Sequence, residues 1–163
     1  GSAGRMDSVA SQATKHMKQK IILVALIFMA LFFLYLRFFG NRPTQYTMRV
    51  GSAKVELEIA DTVGKQRQGL SGRGRLPASQ GMYFPMGPPA IYTFWMKDMQ
   101  FPLDILWIRD GRVVDISENV PYPVGDHPPV SVQPKEPASG VLEVNADFTE
   151  QQGTKIGDAI DIL

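Results

Sequence analysis

The sequence predicts a mainly β fold, a small closed barrel or two-sheet sandwich with one short helix, preceded by one N-terminal transmembrane helix. Three observations carry that expectation. Beyond residue 45 the chain breaks into short segments that alternate apolar and polar residues, the two-residue period of half-buried strands. Glycine and proline clusters separate those segments and leave room for only one short helical stretch, which argues against repeated βαβ units. Before residue 40, by contrast, the hydrophobic character is continuous.

Residues Ile21 to Leu36 lack any charge or strong polar group, and Phe38 and Phe39 extend the run past Arg37. As a helix, residues 21–39 would measure about 28 Å, close to the roughly 30 Å hydrocarbon thickness of a bilayer. Arg37 stands near enough to the end to snorkel, and Tyr35 suits the aromatic belt. A cleaved signal peptide fits less well, because Leu36-Arg37-Phe38-Phe39-Gly40 lacks the small residues of a cleavage site. Lys15, Lys18 and Lys20 on the N-terminal side place residues 1–20 in the cytoplasm as a tail and residues 40–163 outside it, with the bilayer as a partner through residues 21–39. Within the tail, residues 1–5 read as an expression remnant, leaving Met6 or Met17 as the native start.

After a polar linker, residues 40–45, the β domain is expected over residues 46–163. Thr47 to Val50 and Ala53 to Ile59 flank Gly51-Ser52, a tight hairpin, with Val55, Leu57 and Ile59 on one face and Glu56 and Glu58 on the other. Asp61 or Thr62 can cap a helix to about Gln68, with Gly69 at its exit. Gly81 to Phe84 and Ile91 to Met96 read as strands separated by a loop containing Pro85, Pro88 and Pro89. Asp110-Gly111 joins Ile105 to Arg109 and Arg112 to Ser117 in a second hairpin. The proline-rich stretch from Val120 to Pro137 has no periodicity, and a loop of that length is expected to cover something. Val141 to Ala146 and Ile156 to Leu163, the latter turning at Gly157-Asp158, complete the set.

At 163 residues the chain has room for one folded domain. The absence of cysteine excludes disulfides, thiolate metal sites and cysteine nucleophiles. Residues 40–163 carry twelve Lys/Arg against fifteen Asp/Glu, so no nucleic-acid partner is expected. No cofactor motif is present either.

The stretch Phe94-Trp95-Met96-Lys97-Asp98, followed by Phe101-Pro102-Leu103-Asp104-Ile105-Leu106-Trp107-Ile108, resembles the signature of the family known as domain of unknown function 192. Arg67, Gly69, Leu70, Arg73 and Leu76 resemble its helix-to-turn segment, and Gly81, Met82 and Phe84 its next strand. Val141 to Ala146 and Gly157-Asp158 resemble its last blocks, so the resemblance runs in order over about residues 46–163. Ser71-Gly72 replaces the family's usual Met and aromatic, and Asp147 its usual Gly. The resemblance implies a compact β-rich domain, frequent export behind an apolar segment, and no particular reaction.

The densest chemistry lies between Trp95 and Asp104. One reading places Lys97, Asp98 and Asp104 at the mouth of a barrel pocket beside Trp95; the plainer one has Asp104 satisfying turn amides and Lys97 pinning the loop. Glu143 and Asn145 share a face of an apolar strand. If that face meets Asp98 or Asp104, a pair of carboxylates could act as general acid and base on an envelope carbohydrate; otherwise Glu143 belongs to a structural network. Met82, Met86, Met96 and Met99 offer thioethers suited to Cu(I), but methionine is also a common core filler. His127, in the proline-rich stretch, is the one histidine available to a serine nucleophile (Ser71, Ser117, Ser131 or Ser139), and no Gly-x-Ser-x-Gly elbow is present. Arg67, Arg73 and Arg75, among glycines, could bind an anion or form a solvated basic loop. The leading expectation is a membrane-tethered, non-catalytic module binding an envelope ligand or protein through Trp95, Lys97, Asp98, Asp104, Glu143, Asn145, Arg67 and Arg73. An acid/base hydrolase using Asp98, Asp104 or Glu143, a methionine-based metal binder and a purely structural domain are the alternatives.

Overall fold

The computed structural model describes residues 20, 22–35 and 46–163, and the chain divides into two compact units, residues 1–43 and 44–163. In the first unit the described residues form helix α1 (residues 20 and 22–35), whose large apolar side chains are exposed. The expected membrane anchor is overturned here: among the described residues no helix is long and apolar enough to cross a membrane. From residue 20 to residue 35 a helix measures about 24 Å, short of the roughly 30 Å hydrocarbon core. The single-anchor localisation, with its outward orientation, loses its basis with it. The tail over residues 1–19, the Arg37 to Phe39 end of the expected span and the linker lie outside the described residues.

The second unit is mainly β. Its strands are β1 (Tyr46–Val50), β2 (Ala53–Ile59), β3 (Gln80–Ala90), β4 (Phe94–Trp95), β5 (Leu103–Arg109), β6 (Arg112–Val120), β7 (Ser131–Val132), β8 (Ala138–Asn145) and β9 (Ile160–Ile162), with helices α2 (Val63–Gln68) and α3 (Phe148–Gln152). Neither a closed barrel nor a two-sheet sandwich results. Seven strands form one curled sheet in the order β6-β5-β8-β3-β2-β1-β9, and β4 pairs with β7 in a small second sheet. The two edges of the large sheet approach each other where Arg112 bridges to Ala159 and the Val113 amide donates to the Asp158 carbonyl at 3.0 Å.

Local chemistry explains most boundaries. In β2, Ala53, Val55 and Leu57 are buried while Lys54, Glu56 and Glu58 are exposed, as the alternation requires. Asp110 and Gly111 both adopt positive φ (52° and 68°), the left-handed pair that turns the β5–β6 hairpin. Thr62 caps α2 by accepting from the Lys65 amide at 3.3 Å, and the Gly69 amide closes the helix on the Lys65 carbonyl at 2.7 Å. A second short helix, α3, forms where only one was expected, the strand expected over Ile91 to Met96 contracts to β4, and the proline-rich stretch contributes β7; two further features depart from expectation. β2 and β3 run parallel, joined by α2 and the segment after it, so the fold does contain one crossover unit. β3 also continues through Pro85, Pro88 and Pro89, which is tolerated because the β3–β8 ladder shifts register between Pro85 and Ala90, where no proline nitrogen must donate.

The sheet has a hydrophobic cluster on each face. Met48, Val50, Val55, Leu106, Val113, Leu142 and Ile160 draw on both edge strands and the centre at once, which places them inside the curl. Met82, Phe84, Ile105, Trp107 and Val141 line the other face and pack beneath Leu70, Leu76, Met96 and Met99 from the connecting segments. The proline-rich stretch does cover this outer side. Its Lys135 amide donates to the buried Asp115 carboxylate at 2.7 Å, and its Val130 carbonyl accepts from the Met96 amide at 2.9 Å.

At Gly81 a Cβ would stand 2.9 Å from the Glu143 carbonyl and 2.9 Å from a Val55 methyl. Gly81→Ala is therefore expected to destabilise the domain by about 1–3 kcal/mol, read as a lowered denaturant midpoint with unchanged slope.

Candidate functional site

Antiparallel register decides which polar side chains of the central strands can meet. Glu143 of β8 lies opposite Met82 of β3 and Ile105 of β5, so its side chain points to the outer cluster. Asp104 lies opposite Val144, on the face that fills the curl. The two carboxylates expected as a pair thus stand on opposite faces of one sheet, and Asp98 is exposed on the loop after β4.

Asp104 is fully buried and fully engaged. One oxygen accepts from the Asn119 amide at 2.8 Å; the other accepts from the Thr149 amide at 2.9 Å and its hydroxyl at 2.7 Å. It therefore ties the end of β6 and the start of α3 to β5. Asn145 has a similar office: its amide donates to the Leu76 and Pro77 carbonyls at 3.1 and 3.3 Å, fixing the approach to β3.

Glu143 is different. It is 6% exposed, and its Oε2 has no hydrogen-bond partner. Removal from water pushes its carboxyl up to about 8, against the opposing pull of Arg73, so the group is predominantly protonated at neutral pH. It forms the floor of a cleft whose walls are Gly69, Leu70, Ser71, Phe84, Phe94 and Met99. Gln66, Arg67, Gln68 and Trp95 complete the lining, and the empty space is about 280 Å³ including the open mouth.

Three local arrangements build these walls. Gly69 has φ 52° and ψ −133°, a conformation reserved for glycine, and a methyl group there would stand 3.8 Å from Glu143 Oε2 and 3.5 Å from the Phe84 ring. The backbone at the helix exit therefore passes directly over the carboxyl. Phe94 stands edge-on to both Phe84 and Trp107, with centroids 5.0 and 5.5 Å apart, which fixes the opposite wall. Ser71 donates to the Lys97 carbonyl at 2.7 Å and the Gly72 amide to the Asp98 carbonyl at 2.9 Å, tying the helix exit to the loop after β4.

Of the sequence-expected residues, the cleft brings together Trp95, Arg67, Ser71, Met99 and Glu143, with Arg73 close enough to act on the carboxyl. Trp95 is 57% exposed, and the Lys97 ammonium lies 5.5 Å from its ring centroid. Arg73 pairs with Glu58 at 2.8 Å, and Arg75 is exposed. The cleft opens on the outer face of the sheet and not at the mouth of a barrel. Met82, Met96 and Met99 are buried core members with Met86 packed against them, and His127 is exposed. Among the described residues no group of three or more His, Cys, Asp or Glu could hold a metal ion. Phe84, Phe94 and Leu70 were not anticipated as lining; the run Leu-Glu-Val within an otherwise apolar strand marks the floor, but nothing local marks the walls.

The two carboxyls should behave oppositely. Asp104→Ala removes the acceptor of three donors, two of them buried, and is expected to cost roughly 3 kcal/mol in chemical denaturation. For Glu143 the folded chain keeps a proton that the unfolded chain releases above its ordinary value of 4.5. The contribution of Glu143 to stability is thus greatest at low pH, falls as pH rises from about 4.5 and stops falling above about 8. Melting temperatures of the parent chain and Glu143→Gln from pH 5 to 9 should show the variant gaining steadily up to pH 8; a constant difference would mean that the carboxyl is not held neutral.

The sequence profile of the family described as DUF192, Uncharacterized ACR, matches residues 46–162. Among solved structures, a protein from Sinorhizobium meliloti 1021, suggested to be a transcription regulator, is 29% identical with a TM-score of 0.65, the match covering 73% of this chain and 94% of that one. A protein of unknown function from Novosphingobium aromaticivorans DSM 12444 is 32% identical with a TM-score of 0.61, covering 71% of this chain and 83% of that one. No curated protein matches. By profile, order of motifs and fold, the chain belongs to the family of domain of unknown function 192.

Proposed function

We propose that the chain is a non-catalytic binding module whose site is the cleft floored by Glu143. The observation that carries this is the unpartnered buried carboxyl at the floor. A polar group removed from water without a partner costs on the order of 1–3 kcal/mol, and at an otherwise well-satisfied sheet such an expense is typical of a position kept for a ligand. The exposed Trp95 at the mouth and the glycine-thinned backbone above the floor give the remaining surface a ligand needs.

Hydrolysis by paired carboxylates draws no support from this arrangement. That mechanism needs two carboxyls flanking one bond, and Asp104 is committed to Asn119 and Thr149 on the opposite face. Thioether metal binding is disfavoured because the methionines are already enclosed by apolar neighbours. The excess of acidic over basic residues in residues 40–163 likewise favours a small ligand over the nucleic acid that the Sinorhizobium protein's description would suggest.

The test is a ¹⁵N-labelled full-length chain titrated with millimolar glucose, butanol, butyrate and butylammonium. At least one probe should shift the Gly69, Leu70 and Ser71 amides together with the Trp95 indole, and Glu143→Leu, which fills the floor with an apolar group, should abolish the shifts while the fold persists. Silence at those four signals with every probe would sink the reading.

A further inference from the structure

We infer that the cleft takes a primary ammonium group carried on a short apolar chain; this rests on the binding reading above and names its ligand class. The floor presents a carboxyl oxygen with no partner, and the walls around it are apolar or aromatic: Leu70, Met99, Phe84 and Phe94. An ammonium supplies compact donors for that oxygen, and its positive charge is attracted by aromatic faces. The molecule already shows this chemistry once, since the Lys97 ammonium stands 5.5 Å from the Trp95 centroid at the same mouth.

The charged surroundings permit it. From the segment after α2, Arg73 faces the carboxyl but is paired with Glu58 of β2 at 2.8 Å. Arg67 of α2 lines the rim, exposed, where water and salt screen its repulsion. β3 and β5 present Met82, Phe84 and Ile105, and the segment from Phe94 to Met99 presents Phe94 and Met99, so no other titratable group faces Glu143 among these elements. Lys97 and Asp98 are exposed on that segment.

Ammonium binding has a signature that an uncharged ligand lacks. The free carboxyl holds its proton at neutral pH, and an ammonium favours the carboxylate. Binding then releases that proton, and affinity tightens by up to about tenfold per pH unit until the free carboxyl itself ionises near pH 8.

Butylammonium and butanol, matched in length, separate the possibilities. They are titrated into the full-length chain by calorimetry at pH 6, 7 and 8, in two buffers of different ionisation enthalpy, with the Gly69 to Ser71 amides followed by NMR. The expected result is a butylammonium Kd that falls by roughly tenfold or more in total between pH 6 and 8, with close to one proton released per site at pH 6. Glu143→Gln should bind butylammonium at least about tenfold more weakly and lose the pH dependence. The pH profile and proton count come from the parent chain, so they stand even if the variant folds poorly. Butanol binding as tightly as butylammonium, with no proton released, would overturn the ammonium inference while leaving the binding reading intact. No response to either overturns the inference, and no response to any probe in the wider panel removes both.

Discussion

The middle of the ladder β5–β8–β3 is packed on both faces, and that single constraint governs every polar side chain placed there. Leu142 and Val144 enter the cluster inside the curl while Val141 enters the outer one, so β8 offers no wet side on which a carboxyl could be harmlessly solvated. Two outcomes remain, and the chain uses both. Asp104 is surrounded by donors from Asn119 and Thr149 and becomes a fastening between β5, β6 and α3. Glu143 is given no such donors and keeps a proton instead. One carboxyl therefore stabilises the fold through its bonds, and the other is tolerated by it.

The difference between these two residues was not readable from the sequence, for a definable reason. Alternation along each strand does show that Asp104 opposes Leu103 and Ile105, and that Glu143 opposes Leu142 and Val144. It does not show how β5 aligns with β8. A slip of one residue would have put both carboxyls on the same face, and the pairing of Ile105 with Glu143 excludes it. The hairpins at Gly51-Ser52 and Asp110-Gly111 were legible because their glycines sit where the backbone must turn left-handed. The cap at Thr62 and the exit at Gly69 were legible for the same local reason. The parallel β2–β3 pairing, the two-residue strands β4 and β7, and the passage of β3 through its prolines depend on tertiary neighbours, and no window of sequence contains those.

The positions where the chain departs from its family's usual residues cluster around the same architecture. Ser71 and Gly72 take hydrogen-bonding and left-handed backbone roles that lash the helix exit to the Lys97–Asp98 carbonyls. Asp147 holds a left-handed conformation (φ 65°) where the family usually has glycine, and its side chain does not cap α3. A short acidic side chain is among the few that accept this backbone. The junction after β8 is thus kept in shape by its neighbours, including the Thr149 bonds to Asp104.

The position of β8 also bears on how the protein is made. Strands β3 and β5 flank it in the finished sheet, yet β8 leaves the ribosome only after residues 80–132 have emerged. Until residue 145 has been translated, β3 and β5 each present an unpaired edge, and neither can close on the other. Unpaired edges are templates for intermolecular pairing, and contacts this distant in sequence form late. The nascent chain therefore completes its sheet only after β8 has emerged, and fragments that stop short of β8 are the ones most exposed to aggregation.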